Sequence, residues 1–254
     1  MAATLQCPQC GGENELPSGA RLITCQFCDA ALFVDRSGLV SHYRLPRRLD
    51  RGEAGAALRR WMAGNDTVKD LDKKVTGVSL APLSFPVWMF RLRSPGGEVV
   101  MAQPAAATPE PAMADLQVPA GRLEVWRGAE EGVEAVAASV PLDTARGWLD
   151  QHAGGEARGG HVTETALVEI PFWRASYDHG GRTYRALVEA STGTVLASLF
   201  PEKSESPYVL VAGLGLLLFG AEGLLISDLF LRALAYAVTS VPLLGLAWWV
   251  TRRV

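Results

Sequence analysis

The sequence lacks the short motifs by which many enzymes are recognised. It has no HExxH pair, no GxSxG segment, no Walker loop and no GxGxxG turn after a predicted strand. The four histidines lie far apart along the chain, and no cysteine follows residue 28 to serve as a nucleophile. His179, which follows Asp178, is best explained as a turn residue. We therefore predict a protein without catalytic activity.

An excess of positive charge is also absent. The chain has 254 residues, with 24 lysines and arginines against 27 acidic residues and a net charge of −3. A protein that binds nucleic acid over a broad surface normally carries a basic stripe, and this composition provides none. The N-terminus also lacks the basic start and apolar run of a signal peptide, so we expect residues 1–206 not to be exported.

The sequence does contain a long apolar stretch near its C-terminus, residues 207–250, with only three charged side chains. The hydrocarbon core of a membrane, ~30 Å thick, is crossed by a helix of roughly 20 apolar residues. The stretch is about twice that length, so we predict two spanning helices, 207–226 and 229–250. Glu222 and Arg232 are then expected to pair at the same depth. A helical hairpin buried in a soluble core is the alternative.

The residues that flank this stretch predict its orientation. Arg252 and Arg253 directly follow an aromatic pair, Trp248 and Trp249, whereas the predicted turn between the helices is acidic. An excess of lysine and arginine marks the cytoplasmic side of a membrane protein. We therefore expect a multi-pass protein of the cell inner membrane with both termini in the cytoplasm.

All four cysteines lie near the N-terminus, in two CxxC pairs separated by fourteen residues: Cys7, Cys10, Cys25 and Cys28. Two such turns supply four thiolates for one zinc ion, with Zn–S bonds of ~2.3 Å. Because four thiolates fill the coordination shell, we predict one structural Zn²⁺ that takes no part in catalysis. Iron held in the same way is the chemical alternative. A cytoplasmic location and the lack of a βαβ context disfavour disulfides and a redox pair.

The cysteines predict a zinc ribbon over residues 1–40. An α+β region is expected over residues 41–206, followed by the transmembrane hairpin over residues 207–254. Within the α+β region, Asp50 and Glu53 have the spacing of a capping box, which predicts the start of a helix.

A second helix is predicted over residues 144–152, with Asp143 as its cap. Alternating apolar residues predict a β-hairpin over residues 84–103 and a three-stranded meander over residues 161–200. Two segments without periodicity are predicted to be mobile loops: residues 104–119 and 154–160.

An internal repeat links the two halves of the α+β region. Phe85–Trp88 and Ile170–Trp173 both read apolar, proline, apolar, tryptophan, and each lies in a predicted strand followed by a Gly-Gly turn and a returning strand. We interpret this as a duplicated helix-plus-hairpin unit, which divides the region into halves at 41–120 and 121–206.

The predicted fold is thus a multidomain α+β membrane protein. It combines a small zinc ribbon, an antiparallel β-rich middle with short helices, and a two-helix transmembrane hairpin. The order of these parts, together with Leu58–Trp61, Phe85–Phe90 and Tyr184–Gly193, resembles a group of bacterial zinc-ribbon membrane proteins of unassigned function. The resemblance implies a fold, which does not by itself imply an activity.

Three functions are compatible with these features. We favour a membrane-tethered adaptor that binds a protein partner at the cytoplasmic face, because the metal site is closed and no catalytic constellation is present. The alternative is a nucleic-acid-binding regulator that uses the ribbon and the arginine-rich segment 44–60, which steep salt dependence would reveal. The third, an enzyme, would require a deep pocket in the β region lined by converging polar groups. The sequence does not predict the oligomeric state.

Overall fold

The computed structural model describes residues 3–94, 96–108, 113, 116–118, 122–152, 160–203 and 206–253. The chain divides into two compact units, one formed by Met1–Trp61 with Val75–Phe200 and the other by Met62–Lys74 with Pro201–Val254. Much of the two predicted mobile loops, 104–119 and 154–160, lies outside the described residues.

Five helices and twelve strands are formed by the described residues. The helices are α1 (Arg51–Met62), α2 (Leu71–Lys74), α3 (Leu142–His152), α4 (Ser206–Leu225) and α5 (Leu229–Arg253). The first six strands are β1 (Ala3–Gln6), β2 (Glu13–Leu16), β3 (Leu22–Thr24), β4 (Ala31–Asp35), β5 (Gly38–Arg44) and β6 (Thr76–Ser94). The other six are β7 (Gly97–Pro104), β8 (Glu124–Val125), β9 (Glu134–Ala135), β10 (His161–His179), β11 (Arg182–Glu189) and β12 (Val195–Leu196).

A ten-stranded sheet is built around the two longest strands, β6 and β10, which pair antiparallel along most of their length. On its other edge β10 pairs first with β5 in parallel and then with β11 in antiparallel. β6 pairs in the same order, first with β9 in parallel and then with β7 in antiparallel. β4 and β3 extend the sheet beyond β5, so these two ribbon strands belong to the same sheet as the two hairpins. β1 and β2 pair with each other in a separate two-stranded sheet.

The two long hairpins correspond residue by residue. Adding 85 to each residue number of the β6–β7 pairing gives the β10–β11 pairing, so that Val87 opposite Pro104 becomes Phe172 opposite Glu189. Where β6 and β10 meet, Phe85 lies opposite Ile170, the first residues of the two repeated tetrapeptides. A two-fold rotation about this point therefore exchanges the two hairpins.

The tryptophans of the repeat make matching hydrogen bonds. Trp88 Nε1 donates to the carbonyl of Val140 at 2.9 Å, and Trp173 Nε1 donates to the carbonyl of Leu49 at 3.0 Å. Val140 lies just before α3, and Leu49 lies just before α1. Each indole thus ties its own hairpin to the segment that precedes the helix of the other half.

Both faces of the central sheet are buried. Phe85, Val87 and Met89 lie in one hydrophobic cluster, whereas Trp88 and Phe90 lie in a second cluster that includes residues of α3. Because neighbouring residues of a strand point to opposite faces, this alternation places core on each side of β6. The same side chains are among the alternating apolar residues by which the strand was predicted.

The helix starts agree with the sequence at α1 and differ at α3. At α1 the capping box is formed in both directions: Glu53 N donates to Asp50 Oδ1 at 2.8 Å, and Asp50 N donates to Glu53 Oε2 at 2.9 Å. α3 begins at Leu142, earlier than the predicted start at residue 144, so Asp143 lies in its first turn and is not its cap. The N–H of Leu142 donates instead to Asp35 Oδ1, at 3.4 Å.

The second unit contains the apolar helices. Among the residues that the structure describes, one stretch, Leu229–Trp249, is long and apolar enough to cross a membrane, whereas the apolar part of α4, Val209–Leu225, is shorter. The alternative of a hairpin buried in a soluble core is not observed, because none of that spanning stretch is buried.

The expected pairing of Glu222 with Arg232 is wrong. The hydroxyl of Thr239 donates a hydrogen bond to Glu222, and Arg232 Nε donates to the carbonyl of Ile226 at 2.7 Å. The backbone N–H of Arg232 also bonds the carbonyl of Asp228, at the start of α5. The arginine therefore contacts the turn between the helices, while the glutamate is bound by a hydroxyl.

Candidate functional site: the four-cysteine cluster and the cavity beside it

The two CxxC turns have the same backbone structure. In the first, Cys7 N donates to the carbonyl of Gly12 and Gly11 N donates to the carbonyl of Cys7, both at 2.9 Å. In the second, Cys25 N donates to Ala30 at 2.9 Å and Asp29 N donates to Cys25 at 3.0 Å. Gly11 and Asp29 occupy the same place and both adopt positive φ, at 74° and 56°. Glycine adopts this conformation without strain and aspartate tolerates it, so the chain reverses tightly after each pair.

The structure brings the four predicted cysteines together. Their Sγ atoms all lie within 4.8 Å of one another, with 3.9 Å between Cys7 and Cys28 and 3.7 Å between Cys10 and Cys25. These distances exclude disulfide bonds, whose sulfurs are ~2.05 Å apart. Four sulfurs at ~2.3 Å from a central ion would be separated by about 3.8 Å in a tetrahedron. The cluster therefore fits one tetrahedral metal ion, and four thiolates leave no position for substrate.

A buried asparagine that no sequence motif marks supports this cluster. Asn14 is 3% exposed, and its Nδ2 donates to the carbonyl of Gly12 at 2.9 Å and to Cys25 Sγ at 3.5 Å. Its Oδ1 accepts from Gln26 N at 3.1 Å. One side chain thus links both CxxC turns. Its only sequence signal is an amide residue shortly after the first pair, which many exposed asparagines share.

The surroundings of Cys25 favour its ionised form. Burial opposes ionisation, but hydrogen bonds from the backbone of Phe27 and Cys28 and from Asn14 outweigh it and lower the pKa of the Cys25 thiol to about 6. Metal binding requires thiolates, so a lowered pKa reduces the free energy needed to deprotonate this ligand at neutral pH.

The first CxxC turn contacts the large sheet directly. Gln9 Nε2 donates to the hydroxyl of Tyr43 on β5 at 2.9 Å. β5 spans both sides of the boundary predicted at residue 40 and pairs with β4 before it pairs with β10. One strand thus carries the chain from the ribbon into the sheet.

Two arginines of the segment 44–60 are occupied by acidic side chains. Arg44 forms ion pairs with Glu124 and Glu130, each at 3.2 Å. Arg47 Nε lies 3.7 Å from Glu130 Oε2, and Arg47 Nη1 donates to the carbonyl of Phe172 at 3.2 Å. The other four arginines of the segment are exposed: Arg48, Arg51, Arg59 and Arg60. The basic surface is therefore smaller than the sequence suggests.

Beside the ribbon strands the first unit contains a cavity of about 250 Å³. Its wall is formed by β3, β4 and β5, by the centres of β6 and β10, and by the segment 126–138 that crosses over them. Most of the lining side chains are apolar, and two of the polar ones, Ser84 and His42, contact a third, Glu169. A pocket lined by polar groups is what an enzymatic activity of the β region would require.

The polar part of the wall is centred on Glu169. Its Oε2 accepts from Ser84 Oγ at 2.9 Å, and its Oε1 lies 3.3 Å from His42 Nε2. His42 is 3% exposed, stacks on Trp126 with ring centroids 4.6 Å apart, and has no partner for Nδ1. No motif in the sequence marks His42 as a site residue.

The other histidines do not join this group. His161 and His179 are the first and last residues of β10, and His152 ends α3. The arrangement Ser84–Glu169–His42 differs from a nucleophilic triad, because the carboxylate lies between serine and histidine. The hydroxyl of Ser84 therefore hydrogen-bonds a carboxylate and does not contact the imidazole of His42.

Comparison with known protein families, with curated proteins and with solved structures finds no match to this chain. These comparisons show no family for the chain. Of the features expected from the resemblance, the structure supports the sulfur cluster, which fits a zinc ribbon.

Proposed function

We propose that the protein is a membrane-anchored zinc-ribbon adaptor that acts at the cytoplasmic face of the membrane and is not an enzyme. The observation that carries this proposal is the four-sulfur cluster, closed to substrate and built on strands that continue into the large sheet. A metal ion bound here would stabilise the surface of the ribbon without contacting a substrate. Such a surface suits binding of a protein partner better than catalysis.

The metal in this proposal is one structural Zn²⁺ bound by Cys7, Cys10, Cys25 and Cys28. Zinc accepts four thiolates in a tetrahedron, and the small size of the ribbon makes metal binding part of its folding free energy. Metal analysis of the purified full-length chain should find one zinc per chain, and Cys25→Ser should lose it. Finding one iron per chain, together with a thiolate-to-iron absorption band, would instead identify the bound metal as iron.

The anchor in this proposal consists of both α4 and α5 as spanning helices. The exposed apolar side chains support it, for example Leu210 at 73%, Leu224 at 88% and Phe230 at 77% exposure. A membrane would cover such surface, whereas water would leave it exposed at a high cost in free energy. Both termini are then cytoplasmic, as the arginines after Trp249 favour.

A cysteine accessibility experiment tests this topology. In intact cells, a membrane-impermeant maleimide should label Ser227→Cys in the turn and should not label Leu199→Cys. If α5 alone spans, Ser227→Cys is protected and a tag after Val254 becomes accessible from outside.

Phe27 is the residue that we propose for partner binding. It lies in the second CxxC turn with 64% of its surface exposed. Its ring packs on the backbone of the first turn so closely that a Cβ at Gly12 would lie 2.3 Å from Phe27 Cδ2. An aromatic side chain that is fixed but exposed has the character of an interface hot spot.

Affinity capture from membranes tests the adaptor proposal. Proteins enriched by the wild-type chain should be lost with Phe27→Ala and with Cys25→Ser, and retained with Leu199→Ala, which removes another exposed apolar side chain. Equal recovery with all variants contradicts the proposal. Recovery of nucleic acid that is lost steeply with salt would support the regulator instead.

A further inference from the structure

The cavity of about 250 Å³ beside the ribbon strands has mainly apolar walls. Among the side chains that enclose it are Leu22, Phe33, Leu45, Val133, Val136 and Leu167. A cavity of ~150 Å³ with such walls stays free of water when it is empty and binds benzene. The larger space here therefore accommodates an aromatic ring with a substituent, and burial of the ring against apolar walls favours its binding.

The charged side chains in and next to the wall balance one another. Three arginines stand against three carboxylates: Arg21, Arg44 and Arg47 against Glu124, Glu130 and Glu169. Arg44 forms ion pairs with Glu124 and Glu130, and Arg47 Nε lies 3.7 Å from Glu130 Oε2. A ligand with a net charge would leave one charge unmatched among apolar side chains, at a high cost in free energy. The wall therefore favours a neutral molecule.

One carboxylate of the wall keeps capacity for further hydrogen bonds. Glu169 accepts from Ser84 Oγ at 2.9 Å on one oxygen, and its other oxygen lies 3.3 Å from His42 Nε2. A carboxylate offers about four acceptor positions, so about two remain. The side chain lines the cavity and is 14% accessible, so a molecule in the cavity can reach it. Within the described part of the chain, Glu169 forms no ion pair with an arginine or lysine.

The remaining acceptor positions of Glu169 require a donor from the ligand. A neutral hydroxyl or N–H group supplies one, and its hydrogen bond to a carboxylate is roughly twice as strong as a bond between neutral groups. A carboxylate ligand would be repelled at the same place. Ser84 and His42 already hold Glu169, and His42 is itself stacked on Trp126. The acceptor is therefore fixed before a ligand enters, which reduces the ordering cost of binding.

We propose that this cavity binds a small neutral aromatic molecule whose hydroxyl or N–H group donates a hydrogen bond to Glu169. Ser84 and His42 are positioning residues, because they act by holding the carboxylate. The site depends neither on the metal cluster nor on the membrane anchor, so it stands or falls independently of the proposed adaptor function.

Binding of 4-fluorophenol to the full-length chain in detergent tests this proposal, with ¹⁹F NMR as the readout and detergent micelles alone as the blank. Phenol should displace the probe, while anisole, benzoate and benzylamine should compete at least about tenfold more weakly. Anisole retains the ring and the oxygen without the donor. Benzoate and benzylamine retain the ring but carry a negative and a positive charge at neutral pH.

Two pairs of variants locate the site. Glu169→Gln should bring the affinities for phenol and anisole close together because it removes the charged acceptor, while Glu131→Gln, at an exposed position, should leave their ratio unchanged. A ratio of two affinities remains informative even if the variant is less stable. Val136→Trp should fill the cavity and weaken both ligands about tenfold or more, while Val125→Trp, at an exposed position outside the lining, should weaken neither.

Several results would overturn the proposal. Absence of binding beyond that of the micelles at about 10 mM phenol would mean that the space holds only water. Equal competition by phenol and anisole would show an apolar cavity without recognition by Glu169. Stronger competition by benzoate or benzylamine than by phenol would show that the wall selects a charged ligand. Equal effects of Val136→Trp and Val125→Trp would place the binding elsewhere.

Discussion

At the scale of single residues, the four cysteines and Asn14 differ in how readily they can be recognised. The spacing of the cysteines is repeated and chemically specific, because few other patterns place four thiolates within reach of one ion. Asn14 has no such pattern, since its role depends on β2 turning back toward Cys25. Its hydrogen bonds to Gly12, Cys25 and Gln26 became evident only from the fold.

Asn14→Ala should weaken metal retention without abolishing it. The substitution removes a hydrogen bond to the Cys25 sulfur and a link between the two CxxC turns, and loss of such outer contacts typically costs about 10–100-fold in metal affinity. Competition for zinc with a chromogenic chelator measures this. Asn65→Ala, at an exposed position, is the matched control. Equal zinc transfer from both variants would show that Asn14 does not support the site.

The cavity residues show the same limit of sequence information. His42, Ser84 and Glu169 lie on three different strands. The parallel pairing of β5 with β10 brings His42 to Glu169, and no local sequence pattern predicts that pairing. Arg47 could be seen as part of a basic segment, but its orientation depends on Trp173 and Phe172, more than a hundred residues away. The number of arginines in the segment 44–60 therefore overestimated the basic surface that is free to bind a partner.

At the scale of elements, local signals predicted the starts and faces of elements where the partners are close in sequence. The Asp50–Glu53 capping box is formed as predicted, because both members lie within one helical turn. The predicted start of α3 was wrong, because the first N–H of this helix is bound by Asp35, the last residue of β4. A cap from another element leaves no trace in the neighbouring sequence.

Removal of this distant cap should destabilise α3 in a pH-dependent way. Burial raises the pKa of Asp35, but hydrogen bonds from Ser37 and from Leu142 N outweigh it, so the pKa is lowered below its usual value of 3.8. A lowered folded-state pKa means that the stabilisation is present above about pH 4 and is lost as the pH falls through the folded pKa.

We therefore expect Asp35→Asn to lower the melting temperature at pH 7, with a loss of roughly 1 kcal/mol or less, since the group is partly exposed. At a pH below the folded pKa of Asp35 the difference from wild type should largely disappear. Thermal unfolding of the full-length chain across this pH range measures it. Asp143→Asn, which the sequence would favour as the cap, should have the smaller effect.

At the scale of the whole molecule, the repeated tetrapeptides predicted that the two hairpins are duplicated units, and the structure shows how the two units pair with each other. The local repeat at Phe85 and Ile170 was readable, but the pairing of these residues with each other was not, because strand register depends on the complete sheet. The length of the apolar C-terminal stretch was enough to predict two helices there. Composition could not place Glu222 against Thr239, since that depends on how α4 and α5 pack.

The matching indole hydrogen bonds predict matching effects of substitution. Trp88→Phe and Trp173→Phe each leave a backbone carbonyl without its partner and remove contact area. We expect a loss of about 1–3 kcal/mol for the fully buried Trp88 and less for the partly exposed Trp173. Thermal unfolding of the two variants gives the comparison. Equal losses of stability in the two variants would mean that the difference in burial between Trp88 and Trp173 has no effect. If neither variant lost stability, the indole hydrogen bonds would not contribute to stability.

The strand shared by the ribbon and the sheet predicts how the molecule responds when metal is removed. The ribbon is too small to fold on its own core, so chelation should expose the backbone of β1 to β4 to hydrogen exchange. β6 and β10 have core on both faces and should remain protected. β5 lies between these cases, because it loses β4 on one side while Ser41–Arg44 stay paired with β10.

Hydrogen exchange with mass spectrometry, before and after chelation, resolves these three classes of segment. We expect a large rise in exchange for residues 3–35, an intermediate rise for β5 and little change for β6 and β10. Cys25→Ser should give the same pattern without chelator, and restoring zinc to the wild-type chain should reverse it. A uniform rise across the sheet would show that the metal stabilises the whole unit. Unchanged exchange in residues 3–35 would show instead that the ribbon folds without its ion.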